Sequence, residues 1–187
     1  MKKFIYISLV FIMIPLFASG QAKLGEKVKN FSALDQDGAD WVLKKKLKAS
    51  DYLVVYFYPA AFTGGCTKQA CAYRDQEGDL AAVGAQVVGV SGDNPETLGL
   101  FAMEHALNFT LLADESGEIA SIFGVPQRDG GTIQREIKGK TLDLARGTTI
   151  QRWTFILDKK GTLIYKDAEV NAVEDSGKVV DYLSSLQ

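Results

Sequence analysis

Hydrophobic and polar positions along the chain follow two alternating patterns. Continuous apolar runs, typical of strands buried on both faces of a sheet, occur at residues 51–59, 85–93 and 109–114. Each run is followed by a helix-like segment, at residues 64–83, 95–107 and 117–124. The regular alternation of the two patterns predicts an α/β fold.

The two ends of this pattern add further elements. Residues 30–38 predict a short strand and a turn at Asp37-Gly38. Two β-rich runs at 150–158 and 162–170, joined by a short connector that contains glycine, predict a hairpin. A final helix is predicted at 174–186, whereas the polar and Gly-rich residues 125–150 are predicted to form a long surface loop. We therefore expect a mixed α/β sheet covered by helices.

The first 22 residues predict an export signal. Lys2 and Lys3 form a basic start, residues 4–18 are apolar, and small residues follow, as in a signal peptide cleaved near residues 20–22. A membrane-spanning anchor is the alternative, but the apolar run is shorter than the roughly 20 residues that a span needs. Residues 23–187 then form one domain. Export leads to the periplasm if the host has an outer membrane, and otherwise to the cell exterior.

The distribution of charge gives no indication of a polyanionic partner. The chain carries a formal net charge of −2, and its dense basic cluster at residues 44–48 is typical of a solvated edge or loop. We expect no nucleic-acid partner and no stable membrane partner for this domain.

The only two cysteines, Cys66 and Cys71, stand five residues apart just after the most apolar run. In open α/β sheets, chemistry tends to occur where strands end and helices begin. Pro59 ends the strand and Thr63 suits a helix N-cap, which places Cys66 in the first helical turn. Unpaired N–H groups and the helix dipole favour a thiolate there. Cys66 therefore has the features of a nucleophile.

A bridge between the two sulfurs conflicts with an intact helix. Ideal geometry places residues i and i+5 about 8.5 Å apart between their Cα atoms, and a disulfide requires less than about 7 Å. If a Cys66–Cys71 bridge forms, the start of the helix has to unwind, so the bridge would act as a switch.

Other uses of the cysteines remain open at this point. A zinc site needs about four ligands, and His105 is the only histidine, so no metal is expected. A Cys–His hydrolase would need His105 as its base, but that residue lies in an amphipathic helical run. The remaining alternatives are an exported thiol–disulfide oxidoreductase that acts on proteins and a non-enzymatic domain with a structural disulfide.

Residues 59–66, Pro-Ala-Ala-Phe-Thr-Gly-Gly-Cys, have the P-x-x-x-T-x-x-C form of peroxiredoxins. The C-x4-C spacing to Cys71 resembles the Q-type branch, also called bacterioferritin comigratory protein. The likeness continues in the same order through four further stretches, CAYRDQ, VVGVSGDNPET, FTLLADESGEIASIFGV and RWTFILDKKG. It covers essentially the whole chain after the predicted signal peptide. The resemblance implies a thioredoxin-like fold, with three α/β/α layers.

The resemblance also implies roles for five residues. Cys66 matches the peroxidatic cysteine and Cys71 the resolving cysteine. Thr63 would hydrogen-bond the peroxide, and Pro59 would shield the sulfenic acid. Arg152 matches an arginine from a later strand that holds the thiolate and polarises the peroxide.

The implied activity is the thiol-dependent reduction of hydrogen peroxide and organic hydroperoxides, in antioxidant defence and redox homeostasis. The resemblance implies an intramolecular disulfide that a thioredoxin-like dithiol protein reduces, without a metal or organic cofactor. The protein is expected to be a monomer or a weak dimer.

Overall fold

The structure, a computed structural model, describes residues 21–187. Apart from Gln21 and Ala22, the predicted signal peptide therefore lies outside the described residues. Ala22 already belongs to the packed domain, because its N–H donates a hydrogen bond of 2.9 Å to the carbonyl oxygen of Ile122.

The described residues form nine strands and six helices. The strands are β1 (Ser32–Asp35), β2 (Asp40–Val42), β3 (Tyr52–Phe57), β4 (Ala85–Ser91), β5 (Thr110–Ala113), β6 (Gln127–Ile137), β7 (Lys140–Ile150), β8 (Thr154–Asp158) and β9 (Leu163–Asp167). The helices are α1 (Leu43–Lys46), α2 (Gly64–Asp75), α3 (Glu77–Ala82), α4 (Pro95–Glu104), α5 (Glu118–Phe123) and α6 (Asp175–Ser184). None of these helices is long and apolar enough to span a membrane.

Seven of the strands form one mixed sheet, in the order β2-β1-β5-β4-β3-β8-β9. The strands β3, β4 and β5 pair in parallel, and β8 pairs antiparallel with both β3 and β9. The predicted central strand and the predicted late hairpin, β8 with β9, are both confirmed.

The central strand β3 contributes to two cores, because alternate residues of a strand point to opposite faces. Leu53, Val55 and Phe57 pack in a core that includes Phe123 of α5. The residues between and after them pack in a second core with side chains of α2, α4 and α6. Helices thus cover both faces of the sheet, which confirms the predicted three-layer α/β/α arrangement. The predicted helix at residues 64–83 is two helices, separated at Gln76.

The prediction of a loop at residues 125–150 is wrong. This segment is a long antiparallel ribbon of β6 and β7, paired from Gln127 and Ile150 at its base to Ile137 and Lys140 at its tip. Positive φ angles at residues 138 and 139, 52° and 74°, form the tight turn that such ribbons favour. Most side chains of the ribbon are exposed, so the apolar patterns that mark buried strands do not appear in it.

Candidate functional site

The cysteine motif lies where β3 ends and α2 begins. Beyond Pro59 the chain turns through Phe62, whose φ of 60° is in the left-handed region. Thr63 occupies the N-cap of α2, as predicted, with φ −97° and ψ 145°. Its hydroxyl does not cap the helix and instead donates a hydrogen bond of 2.9 Å to the carbonyl oxygen of Ala60. The hydroxyl oxygen therefore keeps its lone pairs for accepting another hydrogen bond.

Cys66 lies in the first turn of α2, and only 1% of its surface is exposed. The N–H of Thr67 donates to the carbonyl oxygen of Thr63 over 2.9 Å, which is the first turn of the helical ladder. The N–H groups of Gly64, Gly65 and Cys66 come before this ladder, at the positive end of the helix dipole. The start of α2 is thus the end of the helix at which anions bind most readily.

Arg152 provides a positive charge in contact with this sulfur. Its Nη2 atom lies 3.3 Å from Sγ of Cys66. The sheet brings the two residues together, because β8 pairs with β3 and places Thr154 opposite Tyr56. The guanidinium also packs over Gly65, where a Cβ atom would lie 3.3 Å from Nη2. The guanidinium and a thiolate would form a charge-assisted pair.

A buried network of hydrogen bonds joins Arg152 to Asp175 through Gln69. Its Nη1 atom donates to Oε1 of Gln69, and Nε2 of Gln69 donates to Oδ2 of Asp175 over 2.7 Å. The same Oδ2 atom accepts hydrogen bonds from the hydroxyls of Tyr73 and Thr154, over 2.7 and 2.8 Å. Burial raises the pKa of Asp175, and its three hydrogen bonds act in the opposite direction.

The predicted set of site residues does not include Gln69 or Asp175. Gln69 follows Cys66 by three positions, a spacing that places both residues on neighbouring parts of one helix surface, and this spacing was a usable signal. Asp175 is 106 positions away from Gln69 along the chain. No local pattern connects the two residues, so only the folded structure reveals this partner.

Cys71 lies further along α2, and its side chain is half-buried. Both cysteines are free, within one continuous helix. The spacing of about 8.5 Å between the Cα atoms of residues i and i+5 in such a helix exceeds disulfide geometry. A fixed Cys66–Cys71 bridge is incompatible with this helix.

Pro59 is half-buried at the end of β3 and lines a groove with residues at the base of the β6–β7 ribbon, among them Pro126 and Gln151. The ribbon also reaches the motif loop nearer its tip, where Nε of Arg135 donates to the carbonyl oxygen of Phe62 over 3.3 Å. The segment predicted to be a loop is therefore a neighbour of the candidate site.

His105 packs against aromatic rings. Its ring centroid lies 6.0 Å from that of Phe62 and 5.0 Å from that of Phe101. Burial lowers the pKa of His105. In residues 21–187, no group of three or more His, Cys, Asp or Glu side chains is placed to hold a metal ion.

The chain is similar to known proteins in sequence and in fold. The AhpC/TSA family model matches residues 24–166. The chain is 43% identical over 145 residues to the chloroplastic peroxiredoxin Q of Populus jackii, which covers 76% of this chain and 60% of that protein. It is 38% identical over 145 residues to peroxiredoxin Bcp of Escherichia coli K12, which covers 75% of this chain and 82% of that protein. The chain thus spans about three fifths of the plant relative and most of the bacterial one.

A solved structure extends the similarity to the fold. The crystal structure of peroxidoxin BcpB from Mycobacterium tuberculosis is 30% identical, with a TM-score of 0.73, and covers 89% of this chain and 99% of its own. The predicted thioredoxin-like fold is therefore confirmed. From the family model, the bacterial relative and this structure together, the chain belongs to the AhpC/TSA family, in the Q-type, or Bcp, branch of the peroxiredoxins.

Proposed function

We propose that this chain is a thiol peroxidase that reduces hydrogen peroxide and organic hydroperoxides, with the thiolate of Cys66 as the attacking group. The observation that carries this proposal is the position of Sγ of Cys66, buried at a helix start and 3.3 Å from the guanidinium of Arg152. A thiolate in such a position is stabilised and yet remains nucleophilic.

In the first step, the Cys66 thiolate attacks the terminal oxygen of the hydroperoxide. An S–O bond forms as the O–O bond breaks, and the leaving oxygen takes up a proton and departs as alcohol or water. Cys66 becomes a sulfenic acid. The Arg152 guanidinium and the free N–H groups at the start of α2 stabilise the charge that develops on the separating oxygens.

Two further residues act on the peroxide in this proposal. The Thr63 hydroxyl donates to the carbonyl oxygen of Ala60 over 2.9 Å, so its oxygen can accept the hydrogen bond that the peroxide O–H donates. Pro59 has no N–H and is half-buried just after β3, and its role in this proposal is to shield the sulfenic acid.

In the second step, the thiol of Cys71 attacks the Cys66 sulfenic acid, and a disulfide and water form. Because the helix holds the two sulfurs apart, the first turns of α2 have to unwind. Unwinding as far as Cys71 also breaks the contacts that Gln69 makes with Arg152 and Asp175. A thioredoxin-like dithiol protein then reduces the Cys66–Cys71 bridge by thiol–disulfide exchange, and its own two thiols become a disulfide.

The variant Cys71→Ser tests this sequence of steps. It should consume about one equivalent of peroxide per protein and then stop, because the sulfenic acid lacks its resolving thiol. Peroxide consumption is measured with the dithiol reductant present, and a small monothiol is then added to restore turnover. Unchanged cycling of the variant with the dithiol reductant would remove Cys71 from the mechanism.

We also propose that the protein is exported to the periplasm or the cell exterior. The support is the basic and apolar sequence of residues 1–18. Because the N–H of Ala22 bonds to Ile122, cleavage after Gly20 would retain a contact that cleavage after Ala22 removes.

Mass spectrometry of the protein purified from its natural host checks this proposal. We expect a mature N-terminus at residue 21, 22 or 23 in the exported fraction. An intact N-terminus in the cytosolic fraction would overturn it.

A further inference from the structure

The buried carboxylate of Asp175 joins α2, which carries Cys66, to β8, the strand that directly follows Arg152. Asp175 is the first residue of α6, and only 1% of its surface is exposed. Its Oδ2 atom accepts hydrogen bonds from Gln69 on α2 and from Thr154 on β8. The helix that carries Cys66 and the strand that begins two residues after Arg152 are thus tied to the same oxygen atom.

The chemistry of the two partners fixes the orientation of the Gln69 amide. A guanidinium only donates hydrogen bonds, and a carboxylate only accepts them. Gln69 satisfies both when Oε1 faces Arg152 and Nε2 faces Asp175, as observed. The reversed amide would place an NH₂ group against the guanidinium and leave two buried donors opposed.

We propose that Asp175 is a positioning residue: by holding Gln69 in this orientation, it sets the position of the Arg152 guanidinium beside Cys66. The proposal rests on the proposed function for its chemistry, because the consequence is the rate at which the Cys66 thiolate reacts with peroxide. Asp175 itself does not touch the sulfur.

The effect of changing the charge at position 69 should depend on which residue stands at position 175. In Gln69→Glu, a second carboxylate would meet Oδ2 of Asp175 where the present N···O distance is 2.7 Å. Two carboxylates this close cannot both be ionised, so one of them takes up a proton or the two side chains move apart. Either change would disturb the position of the Arg152 guanidinium. In Asp175→Asn, a neutral acceptor replaces an ionised one and holds Gln69 less strongly.

The double variant Q69E/D175N restores complementary partners. The carboxylate introduced at position 69 can accept from Arg152 and from one N–H of the amide introduced at position 175. The other N–H of that amide can donate to the hydroxyl oxygen of Tyr73 or Thr154, because a hydroxyl can rotate its own hydrogen away. The cluster again holds one carboxylate and one amide beside one guanidinium. The two single changes should therefore compensate for each other.

A double-mutant cycle tests the proposal. The rate constant of the reduced protein with hydrogen peroxide is measured for the wild type, both single variants and Q69E/D175N. The ultraviolet absorbance of the thiolate gives the fraction of ionised Cys66 in each protein, so that rates are compared per thiolate. We expect Asp175→Asn to slow the reaction roughly threefold or more and Gln69→Glu roughly tenfold or more, with the double variant within about threefold of the wild type.

Asp114→Asn is the matched control, since Asp114 is also a buried carboxylate, but its partners are the backbone N–H groups of Ile119 and Ala120. It should leave the peroxide rate unchanged even where it lowers stability. If Asp175→Asn reacts like the wild type per thiolate, or if the double variant is no faster than the slower single variant, the proposal is overturned.

The cycle also separates this proposal from the proposed function. If the wild type reacts no faster than free cysteine, the peroxidase assignment fails. In that case the double-mutant cycle is evaluated from the fraction of ionised Cys66 in the four proteins. Additive effects of the two substitutions on this fraction would reject the positioning role of Asp175, and non-additive effects would support it.

Discussion

Replacing Cys66 by serine should abolish peroxide consumption. Serine keeps the size and position of the side chain, but its hydroxyl is a much weaker nucleophile than a thiolate at neutral pH. Cys71 does not replace it, because its side chain lies further along α2, beyond the first turn whose N–H groups are free. We expect turnover to fall by about a thousandfold or more.

Peroxide consumption with a dithiol reductant measures this effect, and circular dichroism checks that α2 and the sheet are retained. The Cys71→Ser protein is the matched control, since it loses the other sulfur of the same helix but should still react once. Turnover of Cys66→Ser at the wild-type rate would overturn the assignment of the nucleophile.

Arg152→Lys should slow the reaction with peroxide by roughly a hundredfold, as expected when one donor of a charge-stabilising site is lost. Lysine keeps the positive charge, but its single ammonium cannot reproduce the planar fork of the guanidinium. In the native site, one arm of the fork contacts Cys66 and the other contacts Gln69. Loss of either contact weakens the stabilisation of the thiolate and of the separating oxygens.

The rate constant with hydrogen peroxide, measured on reduced protein, gives the size of this effect. Arg128→Lys is the control for an arginine near the site that does not contact the sulfur: Arg128 is an exposed residue of β6 on the groove beside Pro59, and its replacement should leave the rate unchanged. If Arg152→Lys reacted as fast as the wild type, the contact of 3.3 Å between Nη2 and Sγ would have no catalytic role.

The sequence was sufficient to predict the part of the site that is local in the chain. The apolar run before Pro59 predicts β3 because a strand buried on both faces needs apolar side chains at every position. Thr63 and the two glycines predict the start of α2, and that start places Cys66 in the first turn. The position of Arg152, in contrast, came from the family resemblance, since a strand arginine alone does not indicate a partner.

The parts that sequence analysis missed depend on tertiary structure. The β6–β7 ribbon is held by its backbone pairing, and its exposed side chains leave no apolar period to detect. From the sequence alone, Asp175 is an acidic residue at the start of a predicted helix, which is a common position for a solvated charge. Its burial and its bond to Gln69 arise only when α6 packs beside α2.

Stopped-flow tryptophan fluorescence of the reduced protein, mixed with hydrogen peroxide and combined with a thiol count, tests the peroxidase mechanism most directly. Trp153 is a suitable reporter, because it follows Arg152 and Nζ of Lys166 lies 4.2 Å from its ring centroid. The mechanism predicts a fast phase that depends on peroxide concentration, a slower phase that does not, and the loss of both thiols. A reaction no faster than that of free cysteine, with both thiols retained, would contradict it.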